Sequence, residues 1–180
     1  MLTQTQLSAF ETAGHVTVPD VFSPQEITTA IADIDAWSID FLSTMRDDQK
    51  QWFLEKGIAT APTLRKLDNP VYHRAAFRKM AKQPALVGIV EQLIGKGVSV
   101  FFSQVFMKPP EGGGPKPVHQ DNFYFGPDDL DATLTVWIAI DDATPENGCL
   151  FYGDGSHLHG VIPHVAPPDE PFNLQVPTEQ

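Results

Sequence analysis

His119-Gln120-Asp121 is the stretch of this sequence whose residue types and spacing could do chemistry. In a strand, residues two apart share a face, so an imidazole and a carboxylate at this spacing converge on one point. One nitrogen and one oxygen donor suit a borderline divalent ion such as Fe(II), and a second histidine would complete a facial triad with positions open for substrate and oxygen. Alone the pair is a weak signal: with 6 histidines and 23 acidic residues in 180, a surface histidine beside an unrelated aspartate also arises by chance. Other candidate sites fall away on chemistry. Gly112-Gly113-Gly114 is followed by Pro115 rather than by Gly-Lys-Ser/Thr, so it is no phosphate loop. Asp128, Asp129 and Asp131 lack the glycine and terminal glutamate of a calcium loop.

The elements that must position this pair read as strands. Residues 98–107 are rich in β-branched and aromatic types, and 118–125 and 133–140 read the same way. Pro145-Glu146-Asn147-Gly148 is a turn carrying the Asn-Gly pair favoured in hairpins, with 149–152 as the returning strand. The first 96 residues read as helical. Ser23-Pro24-Gln25-Glu26 supplies a capping hydroxyl, a proline at the first helical position and a reciprocal glutamate. Ile27, Ile31, Ile34, Phe41 and Met45 follow as one apolar stripe. Further helices open at Asn69-Pro70 and at Pro84, the last stopping at Gly95. Residues 46–69, polar and broken by Gly57 and Pro62, read as a loop. From 165 to 180, Pro167, Pro168, Pro171 and Pro177 mark a proline-rich connection. The expected fold class is therefore mainly β with a helical N-terminal layer: 1–96 helical, 97–164 strands with the motif, all in one domain.

Composition bounds the function. A length of 180 residues with 42% apolar and 19% charged residues fits one soluble globular domain. Only Lys108 and Lys116 of the basic residues follow position 100, against 12 acidic ones, and such a surface repels phosphate backbones. Nucleic acid is thus an unexpected partner, and so is a membrane, since no apolar window approaches a spanning length. The lone Cys149 and an opening without a secretory pattern lead to a cytoplasmic expectation. No oligomeric state follows from the sequence.

Lys108-Pro109-Pro110, His119-Gln120-Asp121, the unbroken run from Thr135-Val136-Trp137 through Pro145-Glu146-Asn147-Gly148-Cys149-Leu150, and Gly155-Ser156-His157 together resemble the phytanoyl-CoA dioxygenase family of iron- and 2-oxoglutarate-dependent oxygenases. Phe10, Gly14 and then Val21-Phe22-Ser23-Pro24-Gln25-Glu26 are similar to that family's opening. The resemblance covers about residues 7–164 and rests on order, spacing and flanking residues jointly. It implies a double-stranded β-helix, a jelly-roll or cupin-like barrel. It implies Fe(II) held by His119, Asp121 and a distal histidine, with 2-oxoglutarate and O2 as cosubstrates and a small organic or acyl substrate hydroxylated at an unactivated carbon. By alignment it places Lys66, Gln104 and Trp137 in the cosubstrate pocket. A solvated lysine, a solvent-facing amide and a core tryptophan are the respective structural alternatives. His157 falls in the family's Gly-Ser-His turn and is not expected to ligate iron, nor are His159 and His164. The family continues well past that turn, into the distal histidine and a cosubstrate arginine, whereas no arginine follows Arg78. The expectation is a barrel truncated at its C-terminus, and a dioxygenase that is inactive as these 180 residues alone. A non-catalytic metal- or ligand-binding β-domain is the competing reading.

Overall fold

The computed structural model describes residues 1–55, 62–110, 112–167 and 173–177. Gly57, Pro168 and Pro171, named above as breaks, lie outside the described residues.

Helix α1, Gln4–Ala13, starts at a Thr3 capping box and ends at Gly14, whose φ of 84° is the left-handed conformation that glycine adopts without a Cβ penalty. Helix α2, Pro24–Thr44, starts where the sequence places it, Ser23 accepting from the Glu26 N–H and Glu26 reaching back to the Ser23 N–H. Helix α3, Asp47–Phe53, has Asp47 and Asp48 in its first turn, where they complement the helix dipole. Helices α4 (Pro70–His73), α5 (Ala75–Ala81) and α6 (Pro84–Ile94) follow. α2 and α5 meet through Arg74, which donates to Asp33 from Nε at 3.1 Å and from Nη2 at 2.5 Å. Among the described residues the buried side chains are Leu2, Ala30, Trp37, Leu64, Leu67, Pro70, Met80 and Ile89, all within this helical half.

The mainly-β jelly-roll expectation is overturned. Of the described residues 45% are helical, and the sheet consists of two short antiparallel strands of three residues each, β1 (Lys66–Asp68) and β2 (Gln104–Phe106). Their register is Lys66 opposite Phe106, Leu67 opposite Val105 and Asp68 opposite Gln104. Residues 46–69, expected as a loop, thus contain both α3 and β1. Residues 118–125, expected as a strand, contain instead helix α7, Asp121–Phe125, closed by Gly126. Residues 133–140 and 149–152 join no ladder among the described residues. The Pro145–Asn147 turn forms as a short 3-10 helix with Gly148 left-handed, but no strand returns from it. The physical reason is that β propensity describes side chains suited to a half-buried pleated surface, and a ladder needs a paired backbone and a covered face. Neither is present: Phe101 is 67% exposed, Phe151 80% and Trp137 46%, and no described residue after Ile89 is buried.

The alternation of β1 decides what faces where. Leu67, fully buried, packs with Trp37 and Leu64. Lys66 and Asp68, one position to either side, share the opposite face with Gln104.

Candidate functional site

His119 and Asp121 do converge, though not through a strand. Gln120 is extended, with φ −115° and ψ 128°, and it stands immediately before α7. One extended residue suffices to bring its two neighbours to the same side. His119 Nε2 lies 3.4 Å from Asp121 Oδ1, with the side chains 24% and 37% exposed.

Each side chain is anchored by its other polar atom. His119 Nδ1 lies 2.7 Å from the Pro117 carbonyl, which can only accept, so Nδ1 carries the proton and the neutral ring presents a lone pair at Nε2. Asp121 Oδ2 accepts from the Thr135 hydroxyl at 2.6 Å. Asp121 holds the His119 imidazole above its ordinary pKa, against the effect of burial, and the Pro117 carbonyl adds to this. His119, and after it Thr135, holds the Asp121 carboxyl below the usual range, again against burial.

Gln120 ties the motif to the chain that passes behind it. Its N–H donates to His164 Nε2 at 2.9 Å, its amide nitrogen to the Gly160 carbonyl at 2.9 Å, and its amide oxygen accepts from the Ile162 N–H at 2.7 Å. His164 Nδ1 in turn donates to the Ile162 carbonyl at 2.7 Å, so both ring nitrogens are committed. The His164 ring stacks on Phe123 with centroids 4.1 Å apart. Tyr124 sets its ring edge-on to His119 and donates its hydroxyl to the Leu174 carbonyl at 2.6 Å.

The other sequence-predicted residues make contacts of their own. Lys66 Nζ lies 3.1 Å from Asp68 Oδ2 and 5.2 Å from the Phe53 ring centroid. Gln104 donates its amide nitrogen to Asp68 Oδ1. Lys66 and Gln104 are therefore brought to one another, through Asp68. No hydrogen bond or ion pair among the described residues joins that group to His119 or Asp121. Trp137 is half-exposed rather than core. His157 lies 3.1 Å through Nε2 from the Glu11 carbonyl, at the end of α1, away from any ligand set. Sequence reasoning missed Thr135, Gln120 and Asp68, whose roles depend on contacts across the fold.

The donor set fits a divalent ion in part. With the His119 ring neutral, Nε2 and Oδ1 present their lone pairs across a 3.4 Å gap, and bonds of about 2.0–2.2 Å from one ion would reach both. The outer-atom hydrogen bonds from Pro117 and Thr135 are of the kind that orient metal ligands. Among the described residues no cluster of three or more His, Cys, Asp or Glu side chains is grouped to hold a metal.

Comparison with known proteins agrees with the motif pattern. The chain is 26% identical over 151 residues to the probable alpha-ketoglutarate-dependent hypophosphite dioxygenase of Stutzerimonas stutzeri, covering 84% of this chain and 52% of that protein. It is 31% identical over 131 residues to phytanoyl-CoA dioxygenase domain-containing protein 1 of Mus musculus, covering 67% and 44%. It is 41% identical over 93 residues to L-proline trans-4-hydroxylase of Streptomyces griseoviridis, covering 50% and 35%. The chain spans about half the length, or less, of these curated relatives. The family model for phytanoyl-CoA dioxygenase matches residues 10–178, nearly the whole sequence, and the chain belongs to that family.

Proposed function

We propose that the protein is an Fe(II)- and 2-oxoglutarate-dependent oxygenase that hydroxylates an unactivated carbon of a small organic or acyl substrate. The observation that carries this reading is the pair His119 Nε2 and Asp121 Oδ1, 3.4 Å apart with their outer atoms anchored, within a chain of this family. Relatives named as acting on hypophosphite, methylphosphonate and L-proline are consistent with a small-molecule substrate. Bound iron would supply the oxidising power, with O2 and 2-oxoglutarate consumed. The chain's own part is to offer His119 Nε2 as a neutral donor, hold Asp121 ionised, and fix both orientations through Pro117 and Thr135. Lys66 and Gln104 offer a cation and an amide donor to a cosubstrate carboxylate, and Trp137 a wall. We further propose a cytoplasmic setting, in which the half-buried Cys149 stays a thiol, with no nucleic-acid or membrane partner. No helix among the described residues is long and apolar enough to cross a membrane.

The test is succinate formation from 2-oxoglutarate with Fe(II) and ascorbate, comparing the protein with His119→Ala and Asp121→Ala. Both variants are expected to lose iron-dependent turnover, since one remaining donor of the pair cannot hold the ion. Near-normal turnover in Asp121→Ala overturns the assignment. Metal binding without any turnover, in a protein that carries a third ligand and a cosubstrate arginine, selects the competing reading, a non-catalytic binding domain. That reading draws support from His164, whose two nitrogens are already bonded.

A further inference from the structure

Lys66, Asp68 and Gln104 form a closed group on the face of the β1–β2 ladder opposite the core. Each oxygen of the Asp68 carboxylate is taken by a different donor, Oδ2 by the Lys66 ammonium at 3.1 Å and Oδ1 by the Gln104 amide. The Lys66 and Asp68 side chains are only 20% and 29% exposed, so water screens the pair less than it would at the surface. The register holds the arrangement in place: Asp68 is paired with Gln104, and Leu67 between Lys66 and Asp68 is fully buried. A cation beside an amide donor is a carboxylate-binding arrangement, and in this chain the carboxylate bound there is the chain's own.

We propose that Asp68 is a built-in competitor for the ligand carboxylate, so that 2-oxoglutarate reaches Lys66 and Gln104 by displacing the Asp68 side chain. This rests on the oxygenase reading, in which those two residues receive the cosubstrate. A lysine already neutralised by Asp68 has no net charge to offer a second carboxylate, and the two anions would repel each other at contact distance. Displacement resolves both problems. Lys66 stays tethered meanwhile, because its ammonium also lies 5.2 Å from the centre of the Phe53 ring. Asp68 thereby sets the affinity for the cosubstrate without touching it, as a positioning residue.

The experiment is calorimetric titration of the purified protein with 2-oxoglutarate, with Mn(II) added in place of iron so that no turnover contributes. Asp68→Asn keeps the shape and one acceptor oxygen but removes the charge, and it is expected to bind 2-oxoglutarate on the order of tenfold more tightly. Asp68→Ser, shorter and also neutral, is expected to move in the same direction. Structural damage weakens binding, so tightening cannot come from a poorly folded variant. Lys66→Met is expected to weaken binding, and Asp68→Asn should tighten it less in that background than in the wild type, the non-additivity of residues that act through one another. Unchanged or weaker binding by both Asp68 variants, with Lys66→Met still weakened, overturns the competitor role and leaves the oxygenase reading standing. Unchanged binding in Lys66→Met removes Lys66 from the cosubstrate site, and the inference falls with it.

Discussion

Thr135→Val removes one hydroxyl and leaves the side chain's shape, which makes it a sharp probe of how the metal pair is held. The Thr135 hydroxyl donates to Asp121 Oδ2 at 2.6 Å, and Oδ1 is the oxygen that faces His119. A hydrogen bond to a charged acceptor contributes about 1.5–3 kcal/mol when well shielded. The Asp121 side chain is 37% exposed, so water takes over part of that role in the variant. Discounting by half for solvent leaves about 0.7–1.5 kcal/mol, equivalent to a weakening of metal binding by about three- to twelve-fold. The direction is fixed by two effects. The carboxylate loses its rotational anchor, and its pKa moves up from the depressed position that His119 and Thr135 together maintain. Titration of the protein with Mn(II), followed by water-proton relaxation, measures the first. A carbon-detected NMR titration of the Asp121 carboxyl measures the second. Thr135→Ser retains the hydroxyl and should restore most of the affinity. Equal metal affinity in wild type and Thr135→Val, or a Thr135→Ser as weak as the valine variant, would refute the anchoring role.

Leu67→Ala should destabilise the protein by about 2–5 kcal/mol, as expected for a truncated, fully buried leucine; the midpoint of urea unfolding reports this, and a shift near zero would show that the Trp37–Leu64–Leu67 cluster is not the core. Gly14→Ala should cost about 1–2 kcal/mol for a side chain at φ 84°, plus the clash of its Cβ, built 2.8 Å from His157 Cγ. Adding His157→Ala should recover the clash component alone, measured by the same unfolding midpoint. Glu26 has its pKa lowered by the Ser23 backbone and side-chain hydrogen bonds, so its contribution to folding is present above the ordinary glutamate value and is lost as pH falls through the lower folded value. In Ser23→Ala the Glu26 titration followed by NMR should move up toward that ordinary value; no movement would show that the cap does not hold the carboxylate.

The helical half was legible because its signals are local. Ser23-Pro24-Gln25-Glu26 states a helix start within four residues, and Gly14 and Gly95 state ends through backbone freedom that other residues lack. The β half was misread for the converse reason. Residues 98–107 and 133–140 show strong strand propensity, yet a strand exists only where another backbone pairs with it, and that partner is not a property of the segment. Only Gln104–Phe106 found one, in Lys66–Asp68, which lies in a stretch whose polarity reads as loop. β1 is visible to sequence reasoning only if Leu67 is first known to be buried.

The pairing of His119 with Asp121 was legible for a reason narrower than the one that suggested it. A strand was expected to align the two side chains, but the structure supplies an unpaired extended residue, Gln120, immediately before α7. The spacing of two therefore needs an extended residue between the pair, not a paired strand. What turns that geometry into a site comes from far along the chain. Thr135 is 14 residues on, and His164 is 44 residues from Gln120. No spacing rule reaches those distances, because side-chain hydrogen bonds of this kind depend on how segments come to lie beside one another. The same holds for Lys66 and Gln104. Aligned separately as two donors, they gave no hint that Asp68 lies between them and takes both. Donors can be nominated from sequence by chemistry alone, whereas the acceptor that already occupies them is a fact of register, and it decides whether the donors are available to a ligand.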